Sequence, residues 1–164
     1  MPDFQIRPAA PADIPAMLAL IHALAEYEKA RPGDVSADAG MLRAALFAPT
    51  PAAEALLAWR DGEPVGFALF FHNFSTWRGR RGLYLEDLFV VPEMRGRGIG
   101  KALLQELARI ARERGCARME WAVLDWNRHA FEFYKGLGAI PMDEWTIFRL
   151  AEDGIARLGE QTGL

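Results

Sequence analysis

Residues 90–101 read VVPEMRGRGIGK, and this stretch decides how the rest of the sequence is interpreted. An apolar run ends at Val91, glycines follow at every second position from Gly96 to Gly100, and Ile99 begins a helical apolar pattern. The stretch predicts a strand, a glycine-rich turn and a helix that starts inside the turn. The first N–H groups of a helix lack partners within it, and the helix dipole adds positive charge there. We therefore expect the turn to bind an anion, with phosphate the expected guest.

The spacing of this turn excludes two well-known phosphate motifs. The dinucleotide-binding pattern needs a third glycine three residues after its second, and Lys101 and Leu103 occupy the two possible positions. A P-loop needs glycine where Arg95 stands and Ser or Thr where Ala102 stands. A basic turn that does nothing but cap a helix remains the alternative.

Length and composition narrow the class of protein. The chain has 164 residues, which suits a single domain over residues 1–164. Cys116 is the only cysteine, so no disulfide can form within the chain. No apolar stretch approaches the 18 or so residues of a membrane span, and the N-terminus does not resemble a signal peptide. We expect a cytoplasmic, globular protein with no membrane partner.

The net charge of −3 conceals an uneven distribution. Residues 78–118 carry ten basic and five acidic side chains, whereas residues 1–63 carry five and nine, and residues 119–164 carry four and eight. A nucleic-acid-binding protein usually has an overall basic excess. The distribution suits a protein that binds an anionic group at its centre and a cationic molecule nearby, and solvated faces that arose by chance are an equally good explanation.

Hydrophobic periodicity predicts an α/β (α+β) fold with the element order β-α-α-β-β-β-α-β-α-β. The second helix is expected to start at an N-cap, Ser36, and to end before Pro49. The predicted strands cover residues 4–7, 54–60, 65–74, 83–91, 118–124 and 146–150, and the other helices cover about 12–28, 99–114 and 127–137.

The strand at 83–91 carries two adjacent carboxylates, Glu86 and Asp87. Strict alternation places them on opposite faces of the sheet, each among apolar neighbours. At least one is therefore expected to be buried, paired or at an opening. Of the two, Glu86 is the stronger candidate for a residue of the functional site.

The R-x-x-G-x-G pattern from Arg95 to Gly100 resembles the GNAT superfamily of acetyl-CoA-dependent N-acetyltransferases. The resemblance covers nearly the whole chain and is closest to the diamine (spermidine/spermine) acetyltransferase branch and its thialysine-acetylating relatives. It implies a mixed, mostly antiparallel central sheet flanked by helices, and a homodimer that transfers acetyl from the coenzyme A thioester to a primary amine. Its other supporting segments are Tyr84–Val90, Trp126–Asn127, Phe133–Lys135 and Gly138–Ala139.

The resemblance also implies roles for individual residues. It assigns Glu86 as the general base and Tyr134 as the acid that protonates the departing sulfur, although periodicity alone favours Tyr134 as a core aromatic. Asn127 is expected to cap a helix and, from the resemblance, to contact the cofactor. The expected cofactor-binding residues are Leu88, Phe89, Val90, Arg95, Gly96, Arg97, Gly98, Ile99, Gly100, Lys101, Asn127 and Tyr134.

Acidic residues could form a pocket for a cationic acceptor, but Ser75 stands where the spermidine enzymes carry an anchoring aspartate. Long polyamines are therefore less favoured than shorter amines. A protein or antibiotic N-acetyltransferase and a non-catalytic acyl-CoA-binding module remain alternatives, and the scattered histidines predict no metal site. The expected substrate-binding residues are Tyr27, Glu28, Glu86, Asp87, Glu120 and Trp145.

Overall fold

The computed structural model describes residues 3–160 and shows a mixed five-stranded sheet with helices on both sides. The strands lie in chain order, and all neighbours are antiparallel except the parallel pair β4 and β5. The strands are β1 (Gln5–Pro8), β2 (Glu54–Arg60), β3 (Glu63–Ser75), β4 (Arg80–Val90) and β5 (Met119–Trp121). The helices are α1 (Ile14–Tyr27), α2 (Ala39–Phe47), α3 (Ile99–Glu113), α4 (Arg128–Gly136) and α5 (Glu152–Gly159), with short 3-10 turns at Pro11–Asp13 and Pro92–Met94.

The predicted mixed α/β fold and its mostly antiparallel sheet are confirmed. The chain divides into two compact units, Met1–Ala122 and Val123–Leu164. The first unit holds the sheet and α1–α3, and the second holds α4 and α5. Among residues 3–160, no helix has the length and apolar character that a bilayer crossing requires.

The core of the first unit lies between the sheet and the helices α1 and α2. Met17 of α1 packs with Leu57, Phe67 and Phe89 of the strands, and these four side chains are nearly inaccessible to solvent. On the sheet's other side, α3 buries its apolar stripe against β2, β3 and β4. The buried residues of α3 are Ile99, Leu103, Leu104, Leu107 and Ala111.

An ion pair fixes the start of α1 to the edge of the sheet. The Arg7 guanidinium donates to both carboxylate oxygens of Asp13, at 2.6 and 3.0 Å, and one of these oxygens also accepts from the Ala10 amide. Asp13 is buried, and the hydrogen bond from Arg7 is the main cause that lowers the pKa of its carboxyl. Arg7 also lies over the ring of Trp59, with its guanidinium carbon 4.7 Å from the ring centroid.

The structure differs from the prediction at two helix ends. Asp38, not Ser36, is the N-cap of α2, and its side chain accepts a hydrogen bond from the Met41 amide. Asp38 lies directly before the first helical residue, so its carboxylate can reach the third amide of the helix. Helix α5 was not predicted, because Gly154 and Gly159 lower its helix propensity.

The predicted last strand at residues 146–150 is wrong, because these residues form no regular element in the structure. The run has strong β propensity, but its backbone pairs with no strand among the described residues. Ile147 and Phe148 are 74% and 94% exposed. The predicted strand at 118–124 is also shorter than expected, since β5 contains only Met119–Trp121.

Candidate active site

The glycine-rich turn has the geometry that its sequence predicts. Strand β4 ends at Val90, a single 3-10 turn follows, and Gly98 is the N-cap of α3. Gly96 and Gly98 have φ of 75° and 84°. These values lie in the left-handed region, where a residue with a side chain would be strained. No atom lies within 4 Å of where a Cβ would sit at either glycine. The turn is therefore open where side chains at Gly96 and Gly98 would stand, and it directly precedes the first amides of α3, the kind of position at which proteins bind phosphate.

The three cations of the turn do not share one environment. Arg97 and Lys101 are exposed, but Arg95 turns inward. Its Nε donates to the Val90 carbonyl at 3.0 Å, and its guanidinium carbon lies 4.2 Å from the centroid of the Tyr27 ring. Arg95 thus connects the turn to the end of β4 and to α1, a role that the sequence pattern did not reveal.

A β-bulge interrupts β4 at the two carboxylates. Leu69 pairs with Asp87, but the next residue of β3, Phe70, pairs with Leu85, so Glu86 is the extra residue. The prediction that strict alternation runs through residues 83–91 is therefore wrong. Tyr84 and Asp87, three positions apart, share the face of the sheet that α1 covers.

The bulge brings three carboxylates within electrostatic reach of each other. Burial, with smaller effects from the charges of Glu86 and Glu28, raises the pKa of Asp87 from 3.8 to about 6. Burial also raises the pKa of Glu28. This acidic cluster, consisting of Glu28, Glu86 and Asp87, can bind a cation and accept a proton near neutral pH. Tyr27 lies beside it, with its ring centroid 6.3 Å from that of Phe89.

Glu120 lies on the same face, one strand away. It pairs with Tyr84 across the parallel strands β4 and β5. Its Oε1 contacts Nε of Arg118 at 2.7 Å and accepts from Nδ2 of Asn73 at 3.4 Å. Burial first, and then the charges of Glu86 and Glu120, raise the pKa of Tyr84. Sequence reasoning named Glu120 but missed its three neighbours, because only strand pairing brings them together.

The other predicted site residues belong to the second unit. Asn127 is the N-cap of α4, and its side chain accepts from the Ala130 amide at 3.2 Å, as predicted. Tyr134 lies on α4, half-buried, with its ring centroid 5.4 Å from that of Phe133. Trp145 lies outside regular structure and is 72% exposed.

A cleft of about 220 Å³ at the C-terminal end of α3 is a poor candidate for the active site. It is lined by Glu54 and Arg114, whose charges already pair with each other. The glycine-rich turn lies at the opposite end of α3. Within residues 3–160, no group of three or more His, Cys, Asp or Glu side chains is placed to hold a metal ion.

Comparison with known proteins agrees with this geometry. The Acetyltransferase (GNAT) family matches residues 19–139. A thialysine N-epsilon-acetyltransferase from Bos taurus is 40% identical over 164 residues, covering 93% of this chain and 95% of the relative. An L-ornithine N5-acetyltransferase from Arabidopsis thaliana is 41% identical over 91 residues, covering 56% of this chain and 40% of the relative.

Among solved structures, an integron cassette protein from the mobile metagenome of V. cholerae superimposes with a TM-score of 0.79. It is 26% identical in sequence, and the match covers 97% of this chain and 99% of that chain. The family match and the fold thus define an acyl-transferring enzyme with an α/β fold. The chain belongs to the GNAT family of acetyltransferases, and it is an N-acetyltransferase.

Proposed function

We propose that the protein transfers acetyl from acetyl-CoA to a primary amine of a small cationic acceptor: a diamine, a polyamine or a thialysine-like amino acid. The amine attacks the thioester directly, with no acyl-enzyme. The observation that carries the proposal is the acidic cluster, because two of its three members, Glu86 and Asp87, lie on the strand that leads into the anion-binding turn. One strand therefore connects a site for a cation with a site for a phosphate.

The acidic cluster can bind the amine and accept its proton. The acceptor arrives mostly as an ammonium ion, which three neighbouring carboxylates attract. Glu86 is exposed at the bulge, where it can act as the general base on the incoming amine. Asp87, with its pKa near 6, can hold the second charge of the acceptor and share the proton.

The residues of the turn fit the pyrophosphate of coenzyme A, the co-substrate that GNAT acetyltransferases use. The amides at the start of α3 would bind it, with the exposed side chains of Arg97 and Lys101 adding positive charge. Bound there, acetyl-CoA supplies an activated acyl group. Backbone amides at 88–90 would hold the thioester oxygen. Asn127 is proposed to contact the cofactor as well.

Tyr134 is proposed as the general acid. A phenol has an ordinary pKa near 10, and a thiol has one near 8.5. The Tyr134 phenol can therefore give its proton to the thiolate as the thiolate leaves. The hydroxyl is carried by a half-buried side chain of a helix whose N-terminus is capped by Asn127. A module that only binds acyl-CoA would need neither this phenol nor Glu86.

The names of the relatives favour an amino acid with a basic side chain as acceptor. The Bos taurus protein is named for thialysine and the Arabidopsis thaliana protein for ornithine. Tyr27, Glu120 and Trp145 are proposed as further acceptor-binding residues. A protein or antibiotic acceptor would be better served by an uncharged or basic cleft.

A dimer in the cytoplasm is proposed as the working form. Several large apolar side chains of the second unit are more than two-thirds exposed, and a second copy of the chain could bury them. Sedimentation analysis of the purified protein will measure the oligomeric state. These side chains are Ile140, Trp145, Ile147 and Phe148.

The deciding experiment is thiol release from acetyl-CoA over a panel of amines: thialysine, lysine, ornithine, short diamines, spermidine, spermine, an aminoglycoside and a peptide. We expect thialysine, lysine-like amines or short diamines to give kcat/KM equal to or above that of spermine. Ser75→Asp is a poor test of acceptor length, because Ser75 is buried and its Oγ accepts from the Arg78 amide. Turnover of the aminoglycoside or the peptide alone would contradict the small-amine assignment.

A further inference from the structure

The pair formed by Glu120 of β5 and Arg118, which directly precedes β5, has unused hydrogen-bonding capacity. Their single contact joins Nε of Arg118 to Oε1 of Glu120, at 2.7 Å. Oε2 of Glu120 and the terminal nitrogens of Arg118 have no partner within residues 3–160. Both side chains are partly exposed, at 45% and 36%. The pair therefore offers one carboxylate oxygen and a pair of guanidinium nitrogens to a ligand.

Asn73 also holds Glu120, but one polar atom of its amide is left without a hydrogen bond to the part of the chain that the structure describes. Its Nδ2 donates to Oε1 of Glu120, while its Oδ1 is buried without a hydrogen-bond partner within residues 3–160. The reverse amide orientation would place two oxygens together, so the assignment is favoured. The residue that pairs with Asn73 on β4 must be a glycine, Gly82, because a Cβ at that position would lie 2.3 Å from Oδ1 of Asn73. A buried, unsatisfied amide is uncommon in a native sheet and indicates a constraint other than stability.

The pair lies at the right distance from the acidic cluster for a short acceptor. Glu120 is in register with Tyr84, three residues along β4 from Asp87 and on the same face. Three residues of strand span at most about 10 Å, and the bulge shortens this. The reacting nitrogen of a lysine-like side chain lies about 6 Å from its α-carbon, as estimated from five bonds of about 1.5 Å each. The side chains of Arg118 and Glu120 can span the remaining distance between the acidic cluster and the α-carbon of the acceptor.

We propose that Arg118 and Glu120 form the subsite for the α-amino-acid head of the acceptor. Arg118 binds the α-carboxylate, Glu120 accepts from the α-ammonium, and Asn73 is a positioning residue that holds Glu120. An arginine fork matches a carboxylate in geometry as well as charge. The subsite thus selects basic amino acids over diamines of the same length. It rests on the proposed function and names the acceptor class within it.

The experiment compares thialysine with its decarboxylated diamine, which differs only by the carboxylate. Arg118→Gln should lower kcat/KM for thialysine about tenfold and leave the diamine within twofold, since one charged hydrogen-bonded contact is lost. Glu120→Gln should lower kcat/KM for both, because each acceptor carries the second ammonium. Asn73→Leu should raise KM for both with little change in kcat. Arg81→Gln, one position from Gly82 on the opposite face, is the matched control and should change neither.

The outcomes separate the subsite from the general function. Equal loss for both acceptors in Arg118→Gln, or no loss for either, overturns the subsite while acetylation of small amines stands. Failure of the wild type to acetylate any acceptor in the panel overturns the small-amine function and the subsite with it. If Arg118→Gln does not fold, Arg118→Lys decides: it keeps the charge but loses the fork, so the preference for thialysine should fall without vanishing.

Discussion

Arg95 lies over the ring of Tyr27, with its guanidinium carbon 4.2 Å from the ring centroid. The contact joins the glycine-rich turn to the end of α1, next to Glu28 of the acidic cluster. A cation over an aromatic face contributes about 0.5–2 kcal/mol, depending on solvent exposure. The two halves of the proposed site, one for the phosphate and one for the amine, are therefore mechanically connected.

This connection predicts a double effect of Tyr27→Leu. The substitution keeps an apolar side chain but removes the ring, so Arg95 loses one of its supports. We expect KM to rise for acetyl-CoA as well as for the amine, by about three- to tenfold each. Steady-state kinetics with each substrate varied in turn will measure this. A change in the amine KM alone would mean that Tyr27 contacts only the acceptor.

Gly98→Asp should weaken coenzyme A binding at least tenfold, or about 1.4 kcal/mol. The new side chain strains a residue at φ 84° and places a negative charge at a site suited to anions. Gly115→Asp is the matched control, because Gly115 has φ 68° at the other end of α3. Calorimetric titration of coenzyme A into both variants decides. Unchanged affinity in a folded Gly98→Asp variant would remove the turn from the proposed cofactor site.

Tyr134→Phe removes only the hydroxyl and leaves the ring to pack. If Tyr134 is the general acid, kcat should fall by about 10²–10⁴-fold while the melting temperature changes little. Phe133→Leu, next to it on α4, is a control for packing and should lower the melting temperature more than kcat. The opposite pattern in Tyr134→Phe, lost stability with nearly normal kcat, would identify it as a structural aromatic.

Asp87→Asn should make the protein more stable and less active at pH 7–8. Between pH 3.8 and about 6 the folded state keeps a proton on Asp87 that the unfolded state has lost. Raising the pH through this interval therefore destabilises the fold, and the amide removes the effect. We expect a gain of up to about 2 kcal/mol in the free energy of unfolding. Urea titrations at pH 4 and pH 8 will measure it, and the gain should be absent at pH 4.

Ionisation of Asp87 should raise the activity of the enzyme although it lowers the stability of the fold. In the wild type, kcat/KM should rise with pH through about 6 as Asp87 becomes charged. In Asp87→Asn this limb should disappear. Glu86→Gln serves as the comparison, because it should lower kcat/KM and leave the limb near pH 6 in place.

Asp13→Asn should destabilise the protein by about 1–2 kcal/mol, since a buried carboxylate loses its charge and Arg7 its partner. Arg7 is 37% exposed, which keeps the effect below that of a fully buried pair. The pKa of Asp13 is lowered in the fold, so its stabilisation is present above its ordinary pKa and is lost as the pH falls through the folded value. Asp61→Asn, at a side chain 89% exposed, should change the unfolding free energy little.

Local patterns predicted most of the first unit. The apolar stripes of α1 and α3, the Asp61–Gly62 turn between β2 and β3, and the glycine-rich turn each depend on residues a few positions apart. Local patterns of this kind can be recognised in a single sequence. Two carboxylates of the proposed site, Glu86 and Asp87, were also singled out, since carboxylates in an apolar strand are unusual.

Features that depend on distant partners could not be predicted. The bulge at Glu86 exists only because two strands pair with a one-residue mismatch. The contact between Asn73 and Glu120 likewise requires β3, β4 and β5 to lie side by side. The error at residues 146–150 has the same origin, because β propensity does not say whether a neighbouring strand is present.

The extra residue at Glu86 makes the length of β4 as important as its chemistry. Upstream of the bulge, Tyr84 shares a face with Asp87 only because the count is offset by one. A regular strand with the same number of residues would instead turn Tyr84 toward α3 and Leu85 toward α1. Deleting one residue between Tyr84 and Asp87 would remove the bulge and leave both on their present face. Shortening β4 by one residue would therefore separate what the bulge contributes from what the faces of its neighbours contribute.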